Sequence, residues 1–358
     1  MVINSVKGLL LLSANLSLQA KALNNMKKAF PFLFITLFLF GCTNKNNIEV
    51  VVYTSVDQVF SEPVLKEFEQ QTGIKVNAVF DTEETKSTGV LNRLIAEKNN
   101  PQCDVFWSGD PMRADVLKQR GITGTYRSPA AAGINEVFID KDYNWIGFSS
   151  RARVLLFNTN LVKPGDIPSS ILELTNEKYK GRFTIANPLF GTTSFHIAAI
   201  FTELGDEKAK QFMEDLKRNG VVIASSNGDV KKKVATGEVQ MGLTDTDDAN
   251  EAIKEGAPVK AIFLDQNEFG NLIVPNTVSV IKNSPNNENG KKVIDFLLSV
   301  ETEKMLAESC AQMPLHKGVA VPSTVPSLDN IFPMKVNYGE VAQKSEQIKE
   351  YLKQWARQ

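Results

Sequence analysis

Apolar residues from position 48 onward fall into two alternating rhythms. Residues 49–54 (EVVVYT) form an unbroken, largely β-branched run, the pattern of a strand buried on both faces. Over 59–72, Val64, Leu65 and Phe68 share one helical face, and Gly73 supplies a C-terminal stop. Residues 74–80 (IKVNAVF) alternate as a second strand. Over 85–98, Val90, Leu91, Leu94 and Ile95 again recur at helical spacing. A short strand follows at 104–107. Asp110-Pro111 then opens a helix, with Asp110 as N-cap and Pro111 in the first turn. This β-α-β-α-β succession predicts a mostly parallel sheet with helices on both faces.

The same logic returns downstream. Strands are predicted at 183–186, 221–224, 239–243 and 261–264, with helices running up to 204 and over 206–219, 229–236 and 248–255. Two apolar stretches, 153–158 (RVLLFN) and 276–281 (NTVSVI), lie between the blocks. Helices at 290–309 and 338–358 close the chain. The layout is an α/β fold of two lobes, each with a mostly parallel sheet, joined by two crossover strands. Lobe one takes 48–150 and 280–330, and lobe two takes 159–272. Segments 151–158 and 273–281 form the hinge, and 331–358 is a C-terminal helical tail.

The first 47 residues have another character. Five of the 21 phenylalanines fall between Phe30 and Phe40, and the first acid is Glu49. From Met26 the chain reads MKKAFPFLFITLFLFGC: a basic start, then an apolar run shorter than the roughly 20 residues that span a bilayer. That is the form of an export signal occupying 1–41, with Met26 as the expected true start. Leu39, Gly41 and Cys42 resemble a bacterial lipobox, with Phe40 bulkier than that pattern prefers. Cys42 is therefore the expected lipid attachment point, and 42–47 a polar tether to the membrane.

Composition excludes several classes. With 40 Lys+Arg, 41 Asp+Glu and a net charge of -1, nothing suggests binding to nucleic acid through bulk positive charge. Cleavage before Cys42 removes Lys7, Lys21, Lys27 and Lys28 and no acid, taking that charge from -1 to -5. Three cysteines cannot build a disulfide scaffold, and Cys103 and Cys310 are expected as buried free thiols or as a pair. GxSxG, HExxH, CxxC and the P-loop are all absent from the sequence.

In open α/β sheets, ligands bind beyond the carboxyl ends of strands, where helix N-termini present N–H groups. The strand-to-helix junctions therefore supply the candidates. Thr54, Ser55 and Asp57 follow the first strand, where Ser55 and Gln58 also have capping-box spacing. Thr82 follows the second, and Trp107 and Ser108 the third. Trp107 reads equally as a ligand wall or as core. Arg151 and Arg153 flank the first crossover, placed to clamp an anion or to pair with a carboxylate across the hinge. Gly191, Thr192 and Thr193 form an anion nest at a helix start, with His196 as packing. Asn227 lies in a further cap cluster. In Thr244-Asp245-Thr246-Asp247-Asp248, Asp248 has capping spacing to Glu251, whereas Asp245 and Asp247 invite a cationic or hydroxylated ligand or a hard metal. Asn276 lies at the return crossover.

YTSVDQVFSEPVLKEFEQQTGIKV, DVFWSGDPMRADVLKQRG, RARVLLFNTNLV, KYKGRFTIANPLFGTT and GLTDTDDANEAI together resemble the ferric-ion-binding branch of the extracellular solute-binding proteins of ABC importers. The resemblance spans nearly the whole body of the chain. It implies a periplasmic-binding-protein-like fold and capture of iron(III) or an iron complex by hinge closure. It also implies a monomer that delivers its ligand to an ABC permease and its ATPase. Asp57, Asp245 and Asp247 are the metal-ligand candidates. The chain departs from ferric-ion binders in having Val56-Asp57 where a histidine would fall, and no tyrosine pair at 244–248. A small anionic or phosphorylated solute is therefore an alternative ligand. A periplasmic enzyme on the same frame, with Asp57 or Glu83 as base, or a ligand-sensing partner of a membrane receptor are alternative functions.

Overall fold

The computed structural model describes residues 48–81 and 89–357. The export signal, the tether, Cys42, Thr82 and Glu83 lie outside the described residues. The first lobe begins β1 (Glu49–Thr54), α1 (Gln58–Thr72), β2 (Lys75–Phe80), α2 (Gly89–Ala96), β3 (Val105–Ser108) and α3 (Pro111–Gln119). β1 pairs in parallel with β2 on one side and β3 on the other. Val50, Val52, Val105 and Trp107 enter one core, whereas Tyr53 and Phe106 enter another on the opposite face. Burial on both faces explains why these strands read as unbroken apolar runs.

β4 (Ile146–Asn158) leads to the second lobe, built from β5 (Phe183–Ala186), α4 (Gly191–Leu204), α5 (Asp206–Arg218), β6 (Val222–Ala224), α6 (Asn227–Ala235), β7 (Met241–Asp245), α7 (Thr246–Lys254) and β8 (Val259–Ile262). β9 (Ile273–Val280) returns the chain to β3. The helices α8 (Asn287–Leu297), α9 (Val300–Cys310) and α10 (Tyr338–Ala356) follow. Strand order is β2-β1-β3-β9-β4-β7-β5-β6, with β8 also on β4. Two parallel outer sets thus meet at antiparallel crossover strands.

β4 is the element that departs most from the sequence pattern. It starts seven residues before the predicted 153–158, and its first half pairs with β9 from Ile146↔Val278 to Ala152↔Ile273. Its second half pairs with β7 and β8. A bulge falls at Ser149, which has φ 38. Left-handed backbone costs a non-glycine residue about 1–2 kcal/mol, and the buried Ser149 hydroxyl has no partner among the described residues. Ser149→Gly is therefore expected to stabilise the protein by about 1 kcal/mol in chemical denaturation. A fall in stability would show that the serine side chain contributes something the strain argument omits.

The predicted 290–309 helix is two helices. Ser299 accepts a hydrogen bond from Thr302 N and restarts the chain as α9. α10 is packed by both lobes, against α3 of the first and α4 of the second. Tyr338 stacks on Phe195 of α4 at 5.9 Å and lies 6.2 Å from Trp145 and 6.3 Å from Phe138, and its hydroxyl donates to Ile273 O at 3.0 Å. Cys103 and Cys310 are buried, unpaired thiols, one in each of two separate core clusters.

Candidate functional site

The carboxyl ends of β1, β3 and β7 and the starts of α3, α4, α6 and α7 converge where β4 crosses between lobes. At the first-lobe wall, Thr54 Oγ1 accepts from Val56 N at 3.0 Å. Ser55 does not cap α1: the N-cap position is Asp57, and the Ser55 hydroxyl instead accepts Gly109 N from the neighbouring junction at 3.0 Å. Ser108 Oγ accepts Asp110 N at 3.3 Å. Trp107 is fully buried against Phe148, with ring centroids 5.6 Å apart, so it serves as core; its indole N–H lacks a partner among the described residues.

The second-lobe wall is a closed network around Arg153, which is 1% exposed. Its guanidinium donates to Asp245 Oδ1 at 2.6 Å, Thr192 Oγ1 at 3.2 Å, Asn227 Oδ1 and Thr193 Oγ1 at 3.3 Å, and Leu243 O at 3.2 Å. The other Asp245 oxygen accepts from Thr192 at 2.6 Å and Asn227 at 3.1 Å. Burial pushes the Asp245 carboxyl up, but Arg153 and Arg151 outweigh it and hold it below the usual range. Arg153 and Asp245 thus frame the wall, with Gly191 opening α4 at φ 56 beside Thr192 and Thr193.

Arg151 is the cation shared between walls. Nη2 donates to Gly109 O of the first lobe at 2.7 Å, and Nη1 reaches Asn276 Oδ1 of β9 at 3.4 Å. Nε lies 3.6 Å from both Asp245 and Asp247 of the second lobe. Burial would weaken its charge, but Asp247, Asp245, Asp110 and Asp57 more than offset this. Asp57 therefore reaches the site through its field on Arg151.

Asp247 and Asp248 complete the site. Asp248 does not cap α7. Asp245 holds the N-cap position, and Asp248 Oδ2 accepts from Thr244 Oγ1 at 2.9 Å. One oxygen each from Asp245, Asp247 and Asp248 lies within 4.8 Å of the others. Burial raises the Asp247 carboxyl to about 8; Arg151 resists, while Asp248 and Asp245 add to the rise. With all three ionised, these carboxylates outnumber Arg151 and Arg153 by one. Hard oxygen donors of this kind suit a hard cation, and Arg151 suits an anion beside it. Asp248 and the Gly109 carbonyl were not anticipated as site groups. The GLTDTDD run carried the signal for the first, but no side chain announces a carbonyl.

A family described as bacterial extracellular solute-binding protein matches residues 64–333. Iron uptake protein A1 of Synechocystis sp. is 28% identical over 291 residues, covering 78% of this chain and 79% of that protein. A putative 2-aminoethylphosphonate-binding periplasmic protein of Salmonella typhimurium is 26% identical over 287 residues, covering 77% of this chain and 81% of that protein. Iron-bound HitA from Pseudomonas aeruginosa shares the fold with a TM-score of 0.78 at 21% identity, over 85% of this chain and 99% of that one.

Proposed function

Because the chain belongs to the family of bacterial extracellular solute-binding proteins, we propose that its cleft takes iron(III), alone or with an anionic chelator, by closure of the two lobes. Proteins of this family bind solutes rather than transform them, and work outside the cytoplasmic membrane with an ABC permease and its ATPase. The observation that carries the iron reading is the approach of Asp245, Asp247 and Asp248 oxygens to within 4.8 Å. Arg151 lies beside these acids as counter-ion for the chelator, and Asp57, whose charge acts on Arg151, serves as a further oxygen donor on closure. A lipid on Cys42 would hold the monomer at the membrane, which the intact mass of detergent-extracted protein tests.

A second reading, a small anionic or phosphorylated solute, draws on Arg151 and the start of α4. Thermal denaturation with ferric citrate, ferric nitrilotriacetate, 2-aminoethylphosphonate and a hexose phosphate separates the two. A true ligand at 100 times its Kd adds about 2.7 kcal/mol. Asp247→Asn is expected to abolish the shift from iron. It should also make the ligand-free protein more stable at pH 8 than wild type. A carboxyl raised to about 8 supplies stability below its unfolded value that is lost as pH rises through 8. A response to the phosphonate or the hexose phosphate and none to either iron complex would overturn the iron reading.

A further inference from the structure

Glu303, on α9, is a fully buried carboxylate outside the ligand site. Oε1 accepts from Ser149 N at 2.7 Å and Leu315 N at 2.8 Å. Oε2 accepts from His316 N at 3.0 Å and lies 2.8 Å from His316 Nδ1. The other imidazole nitrogen faces Ala130 O at 3.2 Å. Both ring nitrogens thus meet acceptors, which selects the imidazolium, and the bond to Glu303 raises the His316 pKa accordingly. A buried carboxylate with four donors, one of them an imidazolium, is held rigidly.

What it grips is the one strained residue of β4. Ser149 has φ 38 at the bulge, where the ladder to β9 shifts register. Its carbonyl is taken by Asn276 Nδ2 at 2.7 Å, and Asn276 is itself tied to Gln312 Oε1 at 2.6 Å. Ser150 and Met313 exchange two backbone bonds of 2.7 Å. The 303–316 segment therefore fixes the bend of β4 two residues before Arg151, which touches both lobes.

We propose that Glu303 is a positioning residue for the hinge: by holding Ser149 in its left-handed conformation it sets the resting angle between the lobes and the aim of Arg151. Strain of this kind persists only where the surroundings over-determine it, and here one carboxylate supplies the bond that the bulge removes from the ladder. The proposal rests on lobe closure as read above, but its main test needs no ligand.

Spin labels are placed through keto-bearing residues at Lys66 on α1 and Lys232 on α6, leaving native cysteines untouched, and inter-lobe distances are measured in the ligand-free protein. Glu303→Ala is expected to widen or shift the distribution. Asp104→Ala is the control. Asp104 is also a fully buried first-lobe carboxylate, accepting from Val51 N at 2.8 Å and Asn286 N at 2.7 Å, at the end of β3 away from the site. It should lower the melting temperature and leave the distances unchanged. Identical distributions for both variants would overturn the proposal. Should Glu303→Ala not fold, amide exchange in the wild-type protein decides: the Ser149 N–H is expected to be protected like core amides, and rapid exchange would overturn the proposal. Ferric citrate is the second arm. If the correct hinge angle is populated a tenth as often, its apparent affinity falls about tenfold. Ferric citrate failing to bind wild type would count against the iron reading alone.

Discussion

Asp245→Ala is expected to lower the stability of the ligand-free protein by about 3–5 kcal/mol, read from the denaturant midpoint, because it strands the Arg153 guanidinium without a counter-ion. Arg153 and Asp245 are 1% and 3% exposed, and their 2.6 Å bond is the shortest that the guanidinium makes. Thr192 and Asn227 would each lose their bond to the carboxylate as well. Asp245→Asn keeps an acceptor for the Thr192 hydroxyl and should cost less. The reverse deletion, Arg153→Ala, leaves Asp245 with Arg151 at 3.6 Å, so its carboxyl should titrate higher than in wild type. A loss below about 1 kcal/mol for Asp245→Ala would mean that water reaches Arg153 and replaces the bond. Since Asp245 is also a candidate ligand oxygen, stability measured without ligand separates its framing role from any part in binding.

Acidification gives the second large effect, through His196. This residue is buried on α4, and burial together with the nearby Arg153 depresses its pKa to about 3, with Asp245 opposing. Between that value and its ordinary 6.5, the unfolded chain carries the proton and the folded chain does not. Stability contributed by the neutral imidazole is therefore present above pH 6.5 and is lost as pH falls toward 3. Integrated over that window the loss is on the order of 5 kcal/mol. His196→Leu should remove this slope, so that the variant gains on wild type as pH falls from 6.5 to 4. Parallel curves for the two proteins would show that His196 is protonated in place or that acid opens the lobe locally.

Strands of the outer sheets were legible because burial on both faces demands continuous β-branched runs, as in Glu49–Thr54. The first half of β4 was not. Gly147, Ser149 and Ser150 break the apolar pattern, and the two serines are held by residues distant in the chain, Glu303 and Met313. Cap spacing misled twice, because each side chain has another partner. Ser55 and Asp248 have the right offsets to Gln58 and Glu251, yet Ser55 serves Gly109 from the next strand and Asp248 serves Thr244. The junction rule named residues that the fold does bring together, because helix starts must gather at the carboxyl ends of parallel strands. It did not divide the labour between the two arginines, which depends on whether each guanidinium turns into its own lobe or across the crossing.

The final helix bears on how the chain reaches its place of work. α10 fills space between α3 of the first lobe and α4 of the second, and Trp355, three residues before the last, donates to Met213 O at 3.0 Å. Lobe one also waits for β9, which pairs with β3 only after the whole second lobe has been made. Neither half can complete its interior until α10 has been made. Until then the polypeptide lacks the contacts that lock the two lobes together. In a family that works outside the cytoplasmic membrane, the order of the segments thus leaves the closing of this fold to α10.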